Sequence, residues 1–398
     1  MTSGSLDGLS VLELGSLVAA PYCGKLLADL GADVVKIEAP GVGDPARRRG
    51  PFPDDTPHPE RSALFLYLNT SKRSITLDST SEAGERIFRE LVAEIDILIE
   101  DNPPGTLESR GLGYAELEKT NPGLVMTSIT PFGQTGPHRD YRVHPLNLYH
   151  VGGHYSAFYL PDDIEARPPA KGGGYLGEYD AGLIAAVGTM GAVLGRRLTG
   201  AGRYVEISKQ EAMMGLERVD IARLANDSNP SQWRPMVGGM MKAKDGYFLV
   251  TPLVNHQWQG LMRAMGDPEW AKADWCQDEI GRMEHADEIR PHLAEWAAQF
   301  TRDEIYHRTQ SEGTPAGPVR NVAEVRDWEQ ARARGFFVEL DHAEAGTQVY
   351  PSAPYQFSKT LWDGRPAPLL GEHNEEILCE RLGYSRSLLE QLADAGVI

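Results

Sequence analysis

The sequence predicts an α/β protein, with a large Rossmann-like domain built on a parallel sheet and a second, smaller α+β domain in the middle of the chain. Strand and helix signals alternate through the first 130 residues, the mark of parallel strands joined by crossover helices. The composition shifts near residue 225, and six of the seven tryptophans fall between Trp233 and Trp328. Beyond Gly317 come a helix rich in Asp and Arg, a strand near Val338–Leu340 and a helical tail, expected to pack back on the first domain. The expected boundaries are 1–220 for the amino-terminal part of the large domain, 225–325 for the small domain and 326–398 for the returning segment.

Taken in order, Val11–Leu14 reads as a buried strand, Pro21–Leu30 as a helix and Val34–Ile37 as the next strand. Ser74–Leu77, a helix over Ser81–Ala93, Ile95–Ile99, a short helix at Tyr114–Lys119 and Leu124–Ile129 continue the alternation. A long helix follows over Tyr179–Arg197, its apolar side drawn from Leu183, Ile184, Val187, Met190, Val193 and Leu194, and Thr199–Gly202 stops it before a strand at Tyr204–Ile207. The small domain should hold a short sheet around Tyr247–Thr251 and helices near His256–Met265 and His285–Phe300. A nicotinamide enzyme needs G-x-G-x-x-G after its first strand, and the segment here reads Gly15-Ser16-Leu17-Val18-Ala19-Ala20-Pro21.

With 41% hydrophobic and 24% charged residues the chain has an ordinary globular composition. Its net charge of −18 argues against a nucleic-acid surface, which needs Lys and Arg clustered over a broad face. A phosphorylated small ligand needs only a local patch, and Arg47, Arg48 and Arg49 form one. The first nine residues carry no secretory signal pattern and no run reaches the ~20 apolar residues of a membrane span, so a cytoplasmic protein without a membrane partner is expected. Cys23, Cys276 and Cys379 are too scattered for a disulfide frame or a zinc site and read as ordinary thiols.

Six stretches, in order, carry a resemblance. They are LDGLSVLELGSLVAAPYCGKLLADLGADVVKIEAPGVGDP near the start, NTSKRSITLD at 69–78, PPGTLESRGLGYAELEKTNPGLV at 103–125, GEYDAGLIAAVGTMGAVLGRRLTGAGRYVEIS at 177–208, GTPAGPV at 313–319 and PLLGEHNEEIL at 368–378. Together they resemble the family III CoA-transferases, the group of formyl-CoA and carnitine CoA-transferases and the related alpha-methylacyl-CoA racemases. The resemblance implies a Rossmann-like domain made from both chain ends, a small middle domain and a homodimer of interlocked rings. It implies a coenzyme A thioester and a carboxylic acid as substrates, with no tightly bound cofactor.

Moving CoA between acids needs a carboxylate that attacks a thioester and itself becomes acylated, beside oxyanion donors and away from bulk water. In the resembling enzymes that carboxylate is an aspartate, and Glu178 stands at the matching position, one methylene longer. It follows the glycine-rich run Lys171–Gly177, whose backbone N–H groups can approach a ligand closely, and it lies just before the long helix, whose dipole favours an anion. Asp180 is the neighbouring acid and reads as a helix cap. In the racemases a histidine matching His144 pairs with the acid as a second base, so His144 with Glu178 is the alternative reading, although Pro145 stands where that histidine is usually followed by aspartate. A CoA-binding protein without catalysis is the third. Positions matching the CoA site include Val18, Ala19, Leu77, Thr80, Asp101 and Asn102, with Arg47, Lys72, Arg110 and Arg142 as the cations for the phosphates. The ring-rich segment 146–159 is expected to flank the acyl pocket, or to be a core helix face.

Overall fold

The computed structural model describes residues 4–153, 172–216, 221–222, 225–226, 237–360, 362 and 364–398. Two compact units emerge, one of residues 1–222 with 335–398 and one of residues 223–334. The larger unit holds six parallel strands, β1 (Ser10–Leu14), β2 (Asp33–Glu38), β3 (Arg73–Thr76), β4 (Ile97–Glu100), β5 (Val125–Thr130) and β6 (Arg203–Ser208), in the order β3-β2-β1-β4-β5-β6. That order is the doubly wound one, reversing between β1 and β4.

β4 and β5 are buried along their whole length, as strands covered on both faces must be. Alternate residues feed two cores. Val11, Val34, Ile97, Ile99 and Val125 pack with α1 (Ala19–Ala28) and the long helix Leu176–Thr199. Leu12, Val35, Leu98 and Met126 pack on the other face with Ile87, Phe88 and Leu91 of the helix Glu82–Ala93 and with Ile377, Leu378 and Leu392 of the tail. Each fully buried Leu, Ile or Phe contributes about 1.5–3 kcal/mol. Ser81 caps the helix Glu82–Ala93 by accepting from Gly84 N at 3.0 Å. The tail returns along the outer edge of β3, where His373 N donates to Ser74 O at 2.9 Å, Thr76 N to Asn374 Oδ1 at 2.8 Å and Asp78 N to Val397 O at 2.7 Å. The edge is thereby covered.

The long helix corrects one expectation. Its buried face is made of small residues, Gly177, Ala181, Gly182, Ala185, Ala186, Thr189 and Ala192, with Val193, while Leu183, Ile184, Val187 and Leu194 are exposed. The reason is close approach: a Cβ on Gly182 would lie 2.6 Å from Ala19 O of α1. The helix also runs 24 residues and is apolar enough to cross a bilayer by length and composition, which the sequence reading had not expected of any run. It packs on α1, β5 and β6.

In the second unit β7 (Gly239–Ala243), β8 (Gly246–Val250) and β9 (Ala316–Pro318) form an antiparallel sheet in that order. Phe248 of β8 packs with Trp258, Leu261, Ile289, Leu293, Trp296 and Ile305 from three helices. The helix expected after Gly317 is two short ones, Val322–Arg326 and Glu329–Ala333, parted where Trp328 adopts an extended conformation.

Candidate active site at the carboxyl edge of the sheet

The strand order reverses between β1 and β4, the point at whose carboxyl ends doubly wound proteins bind ligands. Charged groups pin the turn after β1. Lys36 Nζ donates to Gly15 O at 2.7 Å, Ser16 N donates to both Asp101 oxygens at 3.1 Å, and Leu17 N donates to Asp44 Oδ1 at 3.1 Å. Leu17 is held with φ +61°, a backbone region that leucine rarely adopts, so the surroundings dictate this turn. Gly15 is required there, since a Cβ would meet that of Ala20 at 2.3 Å. Val18 and Ala19 follow, buried at the start of α1, and Leu17 and Val18 join Tyr22, Tyr67, Tyr175 and Tyr179 in an apolar, ring-rich wall. Tyr22 and Tyr179 meet edge to face at 4.9 Å.

Glu178 lies in the first turn of the long helix, its N–H donating to Tyr175 O at 2.9 Å. Its carboxylate forms an ion pair with Lys209, Nζ to Oε2 at 2.6 Å, with side chains 12% and 14% exposed. Lys209 immediately follows β6, so the pair sits at the carboxyl edge of the sheet. Met213, fully buried one turn further along the helix Lys209–Leu216, wedges against two glycines: Cβ atoms on Gly177 and Gly152 would lie 2.6 Å from its Sδ and 2.5 Å from its Cβ. These contacts fix the start of the long helix against the helices Pro145–Val151 and Lys209–Leu216. Asp101, largely buried at the end of β4, completes the group. Burial pushes its carboxyl up to about 7, while the charge of Lys209 and the Ser16 N–H pull the other way. A partly exposed carboxylate beside an ammonium, in the first turn of a helix and near an apolar wall, has the chemistry of a nucleophile toward an electrophilic carbonyl.

The family model described as CoA-transferase family III matches residues 6–374. The chain belongs to this family. The transferase is 32% identical over 408 residues to the succinyl-CoA--L-malate CoA-transferase beta subunit of Chloroflexus aurantiacus, covering 100% of this chain and 99% of that one. It is 29% identical over 425 residues to a formyl-CoA:oxalate CoA-transferase of Rhodopseudomonas palustris, covering 99% and 97%. A crystal structure of a CAIB/BAIF family protein from Brucella suis superposes with a TM-score of 0.81 at 31% identity, over 95% of this chain and 99% of that one.

Several predicted site residues of the transferase follow the same edge of the sheet. Val18 and Ala19 come after β1, Leu77 and Thr80 after β3, and Asn102 after β4. Leu77 is core, Thr80 is exposed and bonded to Asp78, and the Asn102 side chain turns back to Glu100 Oε2 at 3.1 Å. Arg47 and Lys72 depart from expectation. Arg47 is fully buried, with Nε and Nη2 each 2.7 Å from Glu38, and Lys72 Nζ is buried among Glu13, Pro21 O and Asn69 at 2.7–2.9 Å. Both spend their donors on the protein, because buried cations require partners. Arg110 pairs with Glu85 at 2.9 Å, and Arg142 is exposed. A cation that the sequence reading passed over, Arg139, reaches the Pro103–Gly105 turn: a Cβ on Gly105 would lie 2.9 Å from its Nη2.

His144 is exposed at the N-cap of the helix Pro145–Val151, a helix that packs against the long helix carrying Glu178. Lys171 and residues 154–159 of the ring-rich segment lie outside the described residues. Of that segment, Leu148 and Tyr149 are buried. Lys209 was also missed. Its signal was available: it is the first residue after the last parallel strand, at the edge where such sheets place their chemistry.

Proposed function

We propose that this CoA-transferase passes CoA from an acyl-CoA donor to a carboxylic acid acceptor through covalent acylation of Glu178. The observation that carries the reading is the Glu178 carboxylate, part-exposed in the first turn of the long helix and 2.6 Å from Lys209. In the first half-reaction a Glu178 oxygen attacks the thioester carbonyl carbon, the C–S bond breaks and the electron pair leaves with sulfur, giving a mixed anhydride and CoA thiolate. The thiolate attacks the Glu178 carbonyl carbon of the anhydride, releasing the donor acid and leaving a glutamyl thioester. The acceptor acid repeats the sequence in reverse. Succinyl-CoA and formyl-CoA, in the names of the relatives, are the donors to try, with L-malate and oxalate as acceptors.

With succinyl-CoA and formyl-CoA as probes, hydroxylamine trapping and mass spectrometry should find the modification on Glu178. Glu178→Gln should lose at least a thousandfold in transfer while melting as the wild type does. Modification on Asp180, or wild-type transfer by Glu178→Gln, overturns the reading. Rapid deuterium uptake at the alpha carbon of a chiral 2-methylacyl-CoA, abolished in His144→Ala, would instead establish the two-base racemase.

We also propose a homodimer, interlocked as the family resemblance implies. The exposed row Leu183, Ile184, Val187, Leu194 and Leu198 on the long helix supports it. Light scattering should give twice the 43.8 kDa chain mass, and a stable folded monomer would refute it.

A further inference from the structure

We propose that Lys209 is the fixed counter-cation of the transfer, pairing with Glu178 in the resting protein and holding the CoA thiolate between the two halves of each acyl exchange. The inference rests on the Glu178 reading and goes beyond it, because it assigns the fate of the charge that Glu178 gives up. Throughout the proposed sequence one negative charge is conserved. It begins on the Glu178 carboxylate, moves to sulfur when the anhydride forms, leaves on the donor acid when the glutamyl thioester forms, and retraces that path with the acceptor.

Glu178 is neutral whenever it is acylated, so the ammonium now 2.6 Å from it is left without its partner when the thiolate appears beside it. With its side chain only 14% exposed, Lys209 is poorly placed to take a counter-ion from water, and an unpaired charge in such a site is costly. A thiolate or a departing carboxylate restores the pair. The backbone that carries the ammonium is held on both sides: Lys209 opens the helix Lys209–Leu216 directly after β6, whose Ser208 pairs with Thr130 of β5, and Met213 of that helix is locked between Gly152 and Gly177. Asp101, near enough to feel its charge, is turned to the Ser16 N–H. A preorganised cation of this kind is worth more than a mobile one because nothing has to reorient as charge develops.

The role has a consequence that a merely structural ion pair lacks. Without Lys209 the thiolate takes a proton and escapes as free thiol, so failed transfers release CoA into solution. The probe pairs are succinyl-CoA with L-malate and formyl-CoA with oxalate, and transfer is followed together with free CoA. The wild type should release little free CoA per transfer. Lys209→Gln should lose transfer by on the order of a hundredfold, release several-fold more free CoA per transfer, and show its acidic limb displaced upward toward the ordinary thiol range near ~8.5. Lys209→Arg, which keeps the charge, should restore transfer to within about tenfold and suppress the leak. Should Lys209→Gln fold poorly, Lys209→Met keeps the stem and serves in its place.

Wild-type transfer in the uncharged variant overturns the inference. So does a loss of rate with the CoA leak and pH profile unchanged, since that is what loss of a positioning contact alone would give. Glu178→Gln separates the two claims. If it is inactive while Lys209→Gln is normal, only the counter-cation role fails, and if it transfers at the wild-type rate the nucleophile itself is misassigned.

Discussion

Two groups of acids and cations lie near the same sheet and behave in opposite ways. On β1, β2 and the segments that follow β2, Glu13, Lys36, Glu38, Arg47 and Lys72 have side chains fully shielded from solvent and bonded to one another, to neighbouring side chains or to nearby backbone. Burial pushes Glu38 up, yet the bidentate Arg47 guanidinium more than offsets this and leaves its carboxyl below the ordinary range. Burial likewise drives the Lys72 ammonium down to about 8 against the opposing pull of Glu13. At the carboxyl edge of the sheet, Glu178 and Lys209 form a single pair with 12% and 14% of their side chains exposed. The difference is one of saturation and access. A network that has satisfied all its members holds a fold together, whereas a single, partly exposed pair at a helix start is the arrangement on which the proposed transfer draws.

The sharpest way to break the comparison is to remove a member of the closed network. Arg47→Met strands Glu38 and Glu60 and should cost about 3–5 kcal/mol in denaturant unfolding, as removing one partner of a buried pair does. Donor affinity should change little in whatever remains folded at low temperature. A variant of native stability whose affinity for acyl-CoA collapsed would return Arg47 to the phosphates.

Asp101 lies between the two groups and sharpens the contrast through pH. Its folded carboxyl stands at about 7, above the unfolded value near ~3.9, so the folded state binds the extra proton. The stabilisation from this proton is therefore complete below ~4 and is lost as pH rises toward 7. Asp101→Asn cannot lose it, keeps an acceptor for Ser16 N, and should be more stable than the wild type by on the order of 1–2 kcal/mol above pH 7, with the gap narrowing as pH falls from 7 and closed below ~4. A difference constant across pH would show that Asp101 carries no such proton.

Much of the fold was legible because Val11–Leu12, Val34–Val35 and Ile97–Ile99 are short apolar runs in strands joined by crossover helices, one of which opens on a start signal at Ser81. The position of Glu178 was legible too, since a glycine run before a long amphipathic segment marks a helix start. The long helix was misread in orientation. Hydrophobicity alone groups Leu183, Val187 and Leu194 on the apolar side, but the buried face is mainly glycine and alanine, and at Gly182 the approach of α1 leaves no room for a Cβ, a steric fact that no single helix records. The cations were misread for a similar reason. Arg47 and Arg142 are equal as letters, and only burial beside Glu38 and Glu60 separates a structural guanidinium from an exposed one.

What the sequence determined by itself was local: strand periods and the starts of helices. What only the tertiary structure decided was pairing between distant residues. Glu178 and Lys209 are 31 positions apart and Ser16 and Asp101 are 85 apart. They meet because parallel strands all end at one edge of a sheet, bringing the residues that follow β1, β4 and β6 to the same side whatever their separation along the chain.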